Sequence, residues 1–78
     1  MFPKNSIEAE LIQVAAVAVC WLEARGLDQN QALEAVREER WQQDQKWGPQ
    51  CDHLSGTWYA ILGEEFGEVG TAILEGEN

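Results

Sequence analysis

Three glutamates, Glu64, Glu65 and Glu68, fall within five consecutive positions. The spacing of three between Glu65 and Glu68 brings both carboxylates to one side of a helix. Trp58, Ile61, Leu62, Val69, Ala72 and Ile73 share three- and four-residue spacing with Glu65, so one member of an otherwise apolar stripe is charged. Two like charges about 5 Å apart repel by roughly 3 kcal/mol at an effective dielectric of about 20. A half-buried face carries that cost only with compensation, and a hard divalent cation is one form of it. Magnesium takes oxygen ligands, keeps several waters and is held by one or two carboxylates together with substrate phosphates. The alternative is a solvated acidic face of ordinary helix composition. Glu10 and Gln13 repeat the three-residue spacing just before a fully apolar run. Glu10 there either favours the positive end of a helix dipole, or joins Gln13 as a ligand facing another helix's carboxylates.

These residues need helices to hold them, and the sequence punctuates three. Asn5 with Glu8 three residues on resembles a capping box, and Gly26 after Arg25 suits the position just past a helix end, which predicts a first helix over about 6–25. Its Val14 to Leu22 stretch has no polar side. A surface helix needs an apolar stripe of only about 100°, so this one should be surrounded by neighbours, and two partner helices cannot surround it. Cys20, inside that run, reads as a small core hydrophobe. Asp28 and Gln31 repeat the cap signal and open a second, polar-rich helix over about 29–47, which Gly48 and Pro49 end. Gly48 to Thr57 has the composition of a loop, with Cys51 and His53 as loop residues, because a lone Cys-x-His lacks the four ligands of a structural zinc site. The stripe through Trp58 and Ile73 marks a third helix over about 57–75. Gly63, Gly67 and Gly70 each cost that helix about 1 kcal/mol relative to Ala, which close approach of another backbone would offset. The expected fold is therefore all-α, with three helices that complete a four-helix-type bundle by forming a homo-oligomer, a dimer first and a dimer of dimers next.

Composition bounds what such a fold does. Seventy-eight residues make a single domain, 1–78, and a chain of that size buries only about 60% of the surface its unfolded form exposes. It is 45% hydrophobic, too apolar for disorder despite a net charge of −9. Fourteen acidic residues against five basic ones repel a phosphate backbone, so no nucleic acid polymer is expected as a partner and divalent cations are the natural one. The apolar run from Leu11 to Leu22 is far short of the about twenty residues that span a bilayer, so no membrane partner is expected either. Two cysteines and no secretory leader pattern point to a reduced, cytoplasmic protein.

The run Arg40-Trp-Gln-Gln-Asp-Gln-Lys46-Trp47-Gly48-Pro-Gln50, then His53, then Trp58-Tyr-Ala-Ile-Leu-Gly-Glu64-Glu65-Phe-Gly-Glu68-Val69, resembles phage-type members of the MazG-like all-α nucleoside triphosphate pyrophosphohydrolases. Their hallmark is Glu-Glu-x-x-Glu followed downstream by Glu-x-x-Asp. Glu64, Glu65 and Glu68 match the first half, and the stretch from Glu10 to Glu23 is similar to the helix that carries the second. Two differences stand out. The two helices come in reversed order, as in a circular permutation, and Gln13 stands where the family pattern typically has Asp. A ligand cluster is blind to connectivity, so the first difference is compatible with the same site. The second removes one negative charge.

The resemblance implies magnesium-dependent cleavage, with manganese an alternative, of a nucleoside triphosphate between its α- and β-phosphates, giving the monophosphate and pyrophosphate. It makes Glu65, Glu68 and Glu10 metal ligands, with Gln13 a weaker neutral one, and gives Glu64 the task of orienting or deprotonating the attacking water. Lys46 and Arg40 would meet the phosphates, or else are solvated cations balancing local acid. Trp47, beside Lys46, is the aromatic best placed to contact a base, although Trp41, Trp58 and Tyr59 share the chemistry. The role expected is house-cleaning removal of unwanted nucleotides. A helical nucleotide- or protein-binding module on the same scaffold, without turnover, is the alternative that Gln13 favours.

Overall fold

The computed structural model describes residues 2–48 and 53–76, and every regular element among them is an α-helix: α1 (Ile7–Ala24), α2 (Gln29–Trp47) and α3 (Ser55–Leu74). The chain divides into two compact units, Met1–Gly48 carrying α1 and α2, and Pro49–Asn78 carrying α3.

In the first unit the chain enters α1 through a turn closed by Ser6 N–H donating to the Pro3 carbonyl at 3.1 Å. Asn5 occupies this turn at φ 67°, a left-handed conformation that Asn tolerates better than most residues. The cap is consequently one residue later than the Asn5–Glu8 pattern suggests: the Ser6 hydroxyl accepts from the Ala9 N–H at 3.1 Å. At the other end Gly26, at φ 112°, reverses the chain. Its N–H donates to the Glu23 carbonyl at 3.0 Å and the Leu27 N–H to the Leu22 carbonyl at 3.2 Å, the paired bonds of a Schellman motif. Leu22 and Leu27, which flank that motif, are both half-buried.

The expected capping box at the start of α2 is formed on both sides. The Asp28 carboxylate accepts from the Gln31 N–H at 2.8 Å, and the Gln31 side-chain oxygen accepts from the Asp28 N–H at 2.9 Å. Gly48, at φ 77°, ends the helix as anticipated, its N–H donating to the Asp44 carbonyl at 2.8 Å. α1 and α2 pack together. Ala32 is the fully buried residue among those described, while Val19, Leu22 and Leu27 are half-buried. The rest of α1 is open: Val17 is 66% and Ile7 63% exposed, and Cys20 lies on a side that α2 does not cover. The enclosure expected for α1 is thus not supplied by the hairpin it forms with α2.

In the second unit α3 begins at Ser55, two residues before the expected start, with Leu54 extended at the N-cap and no side-chain cap. Ser55, Gly56 and Thr57 read as loop vocabulary, but in a first turn their N–H groups lack intrahelical acceptors in any case, so the helix loses little by including them. His53 and Trp58 meet edge to face across this entry, with ring centroids 4.9 Å apart and planes at 79°. Cys51 lies outside the described residues. Within the chain itself nothing supplies the close approach expected at the glycines of α3: a Cβ built at Gly63, Gly67 or Gly70 meets no heavy atom within 4 Å.

Candidate functional site

Each half of the proposed ligand set lies on a well-formed helix. Glu64, Glu65 and Glu68 occupy the middle of α3, where the backbone is continuous on both sides and the three positions differ only by helical rotation. Glu65 falls between Trp58, seven residues before, and Val69, four after, so its carboxylate interrupts the row that also holds Leu62, Ile61 and Ile73. Glu68 follows one turn on, and Glu64 is one turn before Glu68 on the adjoining side. All three are exposed, and none makes a side-chain hydrogen bond or ion pair with a described residue. The second unit, moreover, contains no Lys or Arg that could neutralise them.

Glu10 lies in the first turn of α1, where the dipole favours a carboxylate, and Gln13 follows one turn later. Both are exposed. Glu10 also starts a row that continues through Val14, Val17 and Trp21, all exposed apolar residues. The two helices therefore share a feature, a carboxylate set into an uncovered apolar row. Among the described residues no three His, Cys, Asp or Glu side chains are drawn together within either unit as a complete ligand group. The donor chemistry of Glu65 and Glu68, hard oxygens one turn apart without a cationic partner, suits a hard divalent ion completed by waters and phosphate oxygens.

The proposed phosphate- and base-binding residues all sit in the C-terminal half of α2, Lys46 and Trp47 at its end. Arg40 donates from one nitrogen to the Gln43 side-chain oxygen at 3.0 Å, and from the other to both Asp44 carboxylate oxygens at 2.9 and 3.1 Å. This is the local balancing of acid that its position allows. With side chains 54% and 39% exposed, a helical pair of this kind contributes no more than about 1 kcal/mol, so phosphate can compete for the guanidinium. Lys46 places its ammonium 4.6 Å from the centre of the Trp47 ring, a cation–π contact between neighbours. The pair offers a charge and an aromatic face together at the helix end, and Trp47 is 59% exposed. Trp41, Tyr59 and Trp58 are also exposed, the last with the His53 ring against it. A shallow hollow on α2, lined by Asn30, Gln31, Glu34, Ala35 and Glu38, includes none of the residues singled out by the sequence.

Comparison of the chain with models of protein families, with curated proteins and with solved structures finds no match.

Proposed function

We propose that this chain is a divalent-cation-dependent nucleoside triphosphate pyrophosphohydrolase that releases pyrophosphate and a nucleoside monophosphate, working as a homo-oligomer in the cytoplasm. The observation that supports it most is Glu65, a carboxylate with no ion-pair partner among the described residues, set into the apolar row of α3 with Glu64 and Glu68 beside it and no Lys or Arg in the unit. The resemblance of the surrounding residues to MazG-like enzymes supplies the reaction.

On this reading Glu65, Glu68 and Glu10 hold the cation, with Gln13 lending an uncharged oxygen. Magnesium or manganese, when bound, neutralises phosphate charge and lowers the pKa of coordinated water. Glu64 orients the attacking water and accepts its proton as the new phosphorus–oxygen bond forms and the α–β phosphoanhydride breaks, pyrophosphate leaving with the bridging oxygen. Arg40 exchanges its helical carboxylate for substrate phosphate, Lys46 adds a second charge, and Trp47 lies against the base. No covalent nucleophile is required.

A second reading, binding without turnover, draws on Gln13 and on the existing Arg40–Asp44 pair. The test is pyrophosphate release from a panel of nucleoside triphosphates with magnesium or manganese. Release that requires the cation and disappears in Glu65→Gln is the expected result. Cation-dependent binding of nucleotide without release selects the second reading, and the absence of both overturns the proposal.

A further inference from the structure

We draw no further inference here: the strongest candidate, the small-residue face of α3 made by Gly56, Ala60, Gly63, Gly67 and Gly70 beside exposed Tyr59 and Phe66, has room for a closely approaching backbone, but nothing in the structure shows what covers it.

Discussion

Glu65 is charged at a position that Trp58, Leu62, Val69 and Ile73 otherwise mark as apolar, and a cation site and a solvated acidic face predict different behaviour there. If Glu65 and Glu68 are ligands, manganese at a hundredfold its dissociation constant should stabilise the protein by about 2.7 kcal/mol, raising the melting temperature by roughly 10–20 °C. Glu65→Ala and Glu68→Ala should each lose that rise. In chelator both should melt at or above the parent temperature, because each removes repulsion between neighbouring carboxylates. Calorimetric melting with and without manganese checks the pair, and an unchanged metal response in both variants leaves only the solvated face. Gln13 makes a separate demand. If it is a ligand, its neutral amide contributes an oxygen without charge, so the cation should be held weakly until substrate phosphates complete its shell. Gln13→Asp should tighten manganese on the order of tenfold in the absence of nucleotide, and lower the melting temperature in chelator by adding a carboxylate to a crowded cluster. Titration calorimetry showing no gain would remove Gln13, and the half-motif it belongs to, from the site.

The helices were legible wherever a side chain or a glycine enforces the boundary. Asp28 and Gln31 satisfy each other's backbone N–H groups, so α2 starts where those two residue types stand three apart, and Gly26 and Gly48 end α1 and α2 because both adopt positive φ. Asp28→Ala should cost about 1 kcal/mol and lower the melting temperature by roughly 4–8 °C, seen by circular dichroism. The start of α1 was less legible because Asn5 and Ser6 are both good caps. Only the turn that takes Asn5 left-handed decides for Ser6. The start of α3 carried no signal, since Leu54 caps nothing with its side chain. Candidate site residues were legible as types and spacings, yet the Arg40–Asp44 pair shows the limit: two residues four apart can meet each other before they meet a ligand. The glycines of α3 set the opposite problem, a cost without a visible return. Gly63→Ala adds a Cβ into open space, so it should stabilise the protein by up to about 1 kcal/mol. A fall in melting temperature would instead mean that another backbone rests on this face.

For the protein as a whole, the question is what covers α1. Folding costs roughly 1–2 kcal/mol of backbone entropy per residue, and apolar burial is the chief term that offsets it. In the first unit that term is poorly supplied, because among its described residues Ala32 alone is fully buried and Leu11, Val14, Val17 and Trp21 stay exposed along α1. A polar-rich α2 covers one side of a helix whose Val14 to Leu22 stretch has no polar side. Association with further copies is the general remedy for a small chain with too little core, and two-fold pairing of α1–α2 hairpins would give four helices around a common interior. Light scattering should therefore report a multiple of 8.8 kDa, with a melting temperature that rises with protein concentration. Val17→Asp provides the sharper test. On a face that stays open to water such a change is worth less than about 0.5 kcal/mol and passes unnoticed. Within an apolar interface it leaves an unpaired carboxylate in a dry contact, and the variant should be monomeric and largely unfolded. A Val17→Asp protein that scatters as a monomer and melts cooperatively at the parent temperature would show that α1 needs no second copy.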